Sequence, residues 1–354
     1  MRRSVELVVC RSLPALFLSA SLIACTTPAR DDRMAAASPA LNDLTSYALM
    51  RIDQSSRSSA ALSVDELADA LKNYDVVFFG EWHDHPGNHL AEMALFRAVH
   101  RRSQLLALSL EMFERDVQPV LDDYMAGRIG EDALQRRGRA WSNYAESYRP
   151  LIEYAKENGL PVIAAEVPTR VVRCVGQEGP EFLSHLRADQ RNWAAAELHL
   201  DGGAYRDKFF RFLAEDNGHG QGAPTDATGA PTPAALRSFA AQVTRDDTMA
   251  ESIFLYLQKH PGQKVMHITG AFHVEGFLGT VERLKLRGPG LKIAVVAPAE
   301  ANDPRHPEIA ARDMGNGNYA VLLRSLPKSF VNDAEEKAAM MGPMNVVTPR
   351  RCDL

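Results

Sequence analysis

Four cysteines in 354 residues are too few for a fold scaffolded by disulfides. A basic surplus is also missing: the formal net charge is −5. A surface of that sign is not made for nucleic acid, whose backbone is read by Lys and Arg. No apolar run in the body reaches the roughly 20 residues that a membrane-spanning helix needs. No internal repeat of fixed period is present, and no linker divides the body into two domains.

What the amino terminus does contain is an export pattern. Arg2 and Arg3 precede a short apolar segment from Leu13 to Ala24, the arrangement of a signal peptide over residues 1–24. Its end, Leu22-Ile23-Ala24-Cys25, resembles the bacterial lipobox. That resemblance implies cleavage before Cys25 and lipidation of its thiol. Thr26 follows where an Asp would favour the inner membrane, so the expected address is the outer membrane, facing the periplasm. Residues 1–24 carry three Arg and one Glu, so removing that +2 takes the chain from −5 to −7. Residues 25–40 read as the lipidated cysteine and a flexible tether. Cys10 leaves with the leader, and Cys174 and Cys352 remain as two thiols that an oxidising compartment would allow to pair.

The body alternates strands and helices. Asp75-Val76-Val77-Phe78-Phe79 is a continuous run of apolar β-formers, the mark of a strand buried on both faces. It ends at Gly80-Glu81-Trp82-His83. Lys264-Val265-Met266-His267-Ile268-Thr269 is another strand-like run, followed by Gly270-Ala271-Phe272-His273. A lone Gly-x-x-His means little, but two of them, each closing a strand, are hard to dismiss. A third strand, 105–110, ends at Glu111, and a fourth, 162–165, ends at Glu166. Open α/β sheets bind ligands beyond the carboxyl ends of their strands. Glu81, His83, Glu111 and His273 are therefore expected at one sheet edge.

Between these strands, Ser63 with Glu66 makes a capping box for a helix over 63–71. Helical spacing runs from about Asn88 to Arg101, and another helix spans about 117–126. Strand, helix and strand in that order imply a parallel pairing. Residues 131–158 read as mostly helical, stopped by Asn158-Gly159-Leu160-Pro161, and 178–213 as helices with short breaks. A long helix over 234–260, a helix over 274–286 and strands at 292–297 and 319–323 complete the pattern. The fold class is α/β: a mostly parallel sheet of about six strands, helices on both faces, and a largely helical insertion. A single domain is expected over 41–326. Residues 216–233, rich in Gly, Pro and Thr, read as a flexible loop, more simply a surface insertion than a lid. The tail, 327–354, reads as irregular.

Two His and two carboxylates on convergent strand ends suit a divalent metal such as Zn, Mn or Fe, and a spare carboxylate could take a proton from bound water. The plain alternative is that they only tie the sheet edge together. His85 and His89 share a helical spacing and are expected behind the site or on the surface. His267, inside a strand, is expected to be a buried, hydrogen-bonded His. Arg245 and Asp246, on the long helix, read by themselves as a solvated pair. Tyrosines offer a different chemistry, since a phenolate can bind ferric haem iron. Tyr144, Tyr148, Tyr154 and Tyr205 are available, although packing is the simpler role for each.

Gly80-Glu81-Trp82-His83, Leu110-Glu111-Met112, Tyr148-Arg149-Pro150-Leu151, Arg245-Asp246-Asp247-Thr248-Met249 and Gly270-Ala271-Phe272-His273 together resemble the ChaN-like haem-binding uptake lipoproteins. These are grouped with Tiki/TraB-type proteins and erythromycin esterases. The resemblance covers most of residues 70–325, and the lipobox agrees with it. It implies an iron-regulated protein that binds haem for uptake, as a homodimer, through a Tyr ligand. Tyr148 is the first choice for that ligand and Tyr144 the second. The competing implication, from the Tiki-type relatives, is a metal-dependent hydrolase in which Glu81, His83, Glu111 and His273 carry the site and Arg245 with Asp246 matches an Arg-Asn/Asp pair. One departure stands out: Glu166 occupies a place where the resemblance leads one to expect Asn.

Overall fold

Among the described residues the strands form a single eight-stranded sheet. The computed structural model describes residues 39–215, 225–226, 228–332 and 352. The signal peptide, Cys25, nearly all of the tether, most of the loop over 216–233 and most of the tail lie outside them. The strands are β1 (Ala48–Asp53), β2 (Ser58–Leu62), β3 (Val76–Glu81), β4 (Leu106–Glu114), β5 (Val162–Glu166), β6 (Lys264–Gly270), β7 (Ile293–Glu300) and β8 (Tyr319–Leu323). Their order across the sheet is β2-β1-β8-β7-β3-β6-β4-β5. From β8 to β5 every neighbouring pair is parallel, while β1 and β2 add an antiparallel hairpin at one edge. The α/β class is as expected, but the hairpin was not anticipated. Its second strand, Ser-Ser-Ala-Ala-Leu, is half exposed and carries no β-branched or aromatic residue, so it gives no strand signal.

The helices are α1 (Val64–Leu71), α2 (Pro86–Arg102), α3 (Gln118–Met125), α4 (Glu131–Arg137), α5 (Arg149–Glu157), α6 (Thr169–Glu178), α7 (Ala204–Glu215), α8 (Pro233–Lys259) and α9 (Thr280–Arg287). Ser63 caps α1, with the reciprocal Glu66 contact of a capping box. Gly159, at φ +65°, ends the helical stretch after α5. A π-helical turn, Tyr144–Tyr148, leads into α5.

Alternation along the central strands sends side chains to two cores. Val77 and Phe79 of β3, Leu106, Leu108 and Leu110 of β4, and Met266 and Ile268 of β6 pack with Leu95 and Phe96 of α2. Val76 and Phe78, Ala107 and Val265 pack instead with Ile253 of α8 and Leu284 of α9. By the same parity, Glu81 belongs to the α2 face and Glu111 to the α8 face. The chain passes from β3 through α2 to β4 but leaves one position empty, and β6 fills it later. The two Gly-x-x-His strands are thus neighbours, with Glu81 opposite Gly270. Strand β4 runs past the expected end at residue 110. Glu111 sits where its pairing to β5 is broken by a register shift between Leu110 and Glu114.

Cys174 of α6 and Cys352 form a disulfide, with Cα atoms 5.5 Å apart. It ties the end of the chain to α6 across 178 positions.

Candidate functional site

The two Gly-x-x-His segments interlock. A Cβ on Gly80 would lie 3.3 Å from Ala271 Cα, inside the second motif, and 2.8 Å from Val274 Cγ2, just after it. A Cβ on Gly270 would lie 2.9 Å from His83 Nε2, inside the first. Glycine at these positions lets neighbouring strand ends touch, so a half-site from each sheet face meets at His83 and Gly270.

On the α2 face, Glu81 is 2% exposed. Its Oε1 accepts from His83 Nδ1 at 2.7 Å and from the Tyr148 hydroxyl. Its Oε2 has no partner among the described residues. His89 and Glu92, from α2, are buried beside it: His89 Nδ1 is 3.0 Å from Glu92 Oε2 and 3.5 Å from Glu81 Oε2. Asn88 donates to Glu92 Oε1 at 3.0 Å. Burial and then the neighbouring Glu92 push the Glu81 carboxyl up to about 8, and burial pushes Glu92 up to about 7.

On the α8 face, Glu111 accepts from Arg245 Nη2, Thr269 Oγ1 and the Gly270 backbone N–H, each at 2.6 Å. Burial alone would raise its carboxyl, but His273, Arg245 and His83 outweigh burial and hold it well below the usual carboxylate range. Arg245 Nε reaches Glu166 Oε2 at 2.8 Å, so the guanidinium bridges two buried carboxylates. His273 donates from Nδ1 to Asp246 Oδ1 at 2.8 Å and turns Nε2 toward Glu111 Oε1, 3.7 Å away. Burial opposes charge on His273, yet Asp246 and Glu111 prevail and raise it. Asp246, fully buried, also accepts from Thr280 at 2.8 Å and from the Tyr205 hydroxyl.

A cleft opens above these groups. One lobe, about 550 Å³, is lined by Glu81, Trp82, His83, Phe212, Phe272 and His273 among others. A second, about 350 Å³, is lined by Asp84, Trp141, Ser142 and Asn143. His83, Glu111 and Arg245 line both lobes. The side chain of His83 is 41% exposed, against 6% for His273. With Nδ1 held by Glu81, Nε2 is the nitrogen His83 has free for a ligand.

The expected strand-end residues do come together, but not as one coordination shell. Among the described residues, the group of three buried donors whose ligand atoms all lie within 4.8 Å is Glu81, His89 and Glu92. Arg245 takes the place beside Glu111 that a cation would need. Nor is Arg245-Asp246 a solvated pair, because Asp246 is fully buried and Arg245 is bound on both sides. Tyr144 and Tyr148 are each 1% exposed and line neither lobe. Burial raises both phenols, and Glu81 raises Tyr148 further.

A family model for haem-binding uptake proteins of the Tiki superfamily, ChaN, matches residues 67–284. The chain belongs to this family. The solved structure of ChaN of Campylobacter jejuni, with cofacial haem, superposes with a TM-score of 0.58 at 15% identity, over 78% of this chain and 98% of that one. That likeness shows the fold. An erythromycin esterase, EreC, aligns over 75% of this chain and 82% of its own with a TM-score of 0.42 at 15% identity, which is too distant to carry an argument. In Arabidopsis thaliana, the chloroplastic protein RETICULATA-RELATED 5 is 27% identical over 221 residues, 60% of this chain. The chain spans only 29% of that protein's length.

Within this ChaN-family frame, sequence reasoning missed His89 and Glu92 as a pair and Tyr205 and Thr269 as supports. An H-x-x-E spacing on one helix face was the available signal for the first pair. His85 is buried as well, its Nε2 donating to the Arg324 carbonyl at 2.8 Å. His267 is buried as expected, 2.9 Å from Ser109 Oγ, and burial pushes it down to about 3. Unfolded, it titrates near 6.5, so below that pH the unfolded chain holds the extra proton. Stability from this group is complete above about 6.5 and is lost as pH falls toward 3. By pH 5 the loss is about 2 kcal/mol. His267→Leu should flatten the stability–pH curve between 7 and 5 by about that amount in denaturant titrations. An unchanged slope would count against a buried neutral imidazole.

Proposed function

We propose that this chain binds haem in the cleft at the carboxyl ends of β3, β6 and β4, with His83 facing the iron. The observation that carries the reading is His83 itself: exposed to the cleft and oriented by a buried carboxylate, it has the arrangement of a histidine built to ligate. Trp82, Trp141, Phe212 and Phe272 supply apolar wall for a flat ring system. The propionates would turn to solvent, away from the buried Glu81 and Glu111. Haem bound there is cargo, and the chain holds and shields it. Tyr148 is not the ligand in this reading, because its hydroxyl is spent on Glu81.

Uptake of haem or iron, lipid anchoring through Cys25, residence at the periplasmic face of the outer membrane and pairing of two copies complete the proposal. The Cys174–Cys352 disulfide supports an oxidising compartment.

A second reading, hydrolysis, is favoured by the His273–Asp246 pair, which haem capture does not need. When His273 is neutral, Asp246 holds its Nδ1–H, which leaves Nε2 to take a proton from water, while a protonated His83 gives one to a leaving group. One preparation tests both readings. Ferric haem titration should give a saturable Soret shift with no turnover of ester substrates. Ester turnover abolished by His273→Ala, without haem uptake, would replace the first reading with the second.

A further inference from the structure

Behind His83, on the α2 side of β3, lies a cluster of which neither haem capture nor hydrolysis uses more than Glu81 Oε1. His89 Nε2 is 2.8 Å from the His83 carbonyl oxygen. A carbonyl only accepts, so Nε2 carries a proton and Nδ1 is the nitrogen left for a ligand once its own proton is displaced. That nitrogen faces Glu92 Oε2 at 3.0 Å and Glu81 Oε2 at 3.5 Å. Three potential ligand atoms thus converge within 4.8 Å of one another. The other oxygens are already engaged: Glu81 Oε1 by His83 and Tyr148, Glu92 Oε1 by Asn88. Glu81 Oε2 is both fully buried and unpartnered among the described residues. A buried acceptor in that state is destabilising, the more so when charged.

We infer that Glu81 Oε2, Glu92 Oε2 and His89 Nδ1 form a buried site for one divalent transition-metal cation. Two carboxylate oxygens and one imidazole nitrogen suit Mn, Fe, Co or Zn in the +2 state. A +2 charge would neutralise two carboxylates that burial otherwise disfavours. The cleft lies on the other side of Glu81, which lines it beside half-exposed His83. The site is distinct from the strand-end set, sharing with it only Glu81, through that residue's other oxygen. It also reaches the cleft, because Glu81 Oε1 orients the His83 ring.

The test uses the full chain, stripped with a chelator and titrated with Co²⁺ and with Zn²⁺. About one tightly bound equivalent is expected, with visible Co²⁺ absorption. Glu92→Gln, which keeps the shape of the side chain, should weaken binding by roughly 100-fold or more. His273→Ala should leave it unchanged. Circular dichroism on each variant separates lost binding from lost fold, and His89→Gln provides a second ligand deletion should Glu92→Gln not fold. Absence of binding would overturn the site, leaving protons shared among Glu81, His89 and Glu92 as the account of the cluster. So would binding that survives in a folded ligand variant. Binding lost in His273→Ala would also overturn it, placing the cation in the open cleft. These outcomes are independent of haem, which is read by the Soret band.

Discussion

Glu111→Ala is expected to destabilise the protein by about 3–5 kcal/mol, lowering Tm by roughly 10 °C. Glu111 sits in the middle of the α8-side network, 3% exposed, accepting from Arg245, Thr269 and Gly270. Removing the carboxylate leaves Arg245 with Glu166 alone, orphans a hydroxyl and a backbone N–H, and takes from His273 one of the charges that raise it. A missing partner costs more than a missing pair, because the remaining groups stay buried without compensation. Glu111→Gln keeps one acceptor oxygen and should cost less. Denaturant titrations decide the matter, and a loss under about 1 kcal/mol for the alanine variant would mean that the network does not hold the strand ends together.

His83→Ala should weaken ferric haem binding by roughly 100-fold, equivalent to about 2.7 kcal/mol. Tyr148→Phe and Tyr144→Phe should each stay within about threefold of the unsubstituted protein. The contrast follows from position. His83 stands half in the cleft with its ring fixed by Glu81, whereas both phenols point into the core. Tyr148 touches the site by donating to Glu81 and by packing its ring on Trp141; phenylalanine keeps the ring contact, so the substitution loosens one of two bonds that orient that carboxylate. If a phenylalanine variant lost binding and His83→Ala kept it, the assignment of the ligand would be reversed.

Much of this was legible in the sequence because each central strand announces itself and its end. Val76 to Phe79 is an apolar run cut off by Gly80, and Val265 to Thr269 is a strand-like run cut off by Gly270, so each buried parallel strand shows where it ends. Glu81, His83, Glu111 and His273 were placed by that logic. What stayed hidden depends on strand order and on helix facing. Nothing local says that β6 lies between β3 and β4, and that insertion is what brings Gly270 against His83. The face of α2 was hidden for a related reason. That helix is buried along much of its length and carries His89 and Glu92 inward among its apolar residues, so the 3.6-residue pattern does not mark them out. Arg245-Asp246 misled because an adjacent charge pair is ordinarily solvent-facing, whereas here α8 lies against the sheet edge with carboxylates on β4 and β5 to meet the Arg. Tyr148 lies in a π-helical turn, a local geometry that spacing arguments do not anticipate.

The most direct measurement is resonance Raman spectroscopy on the protein loaded with ferric haem. The account predicts saturable loading and a spectrum of imidazole ligation, free of phenolate modes, that changes in His83→Ala. Phenolate modes in the loaded protein, or no saturable loading at all, would contradict it.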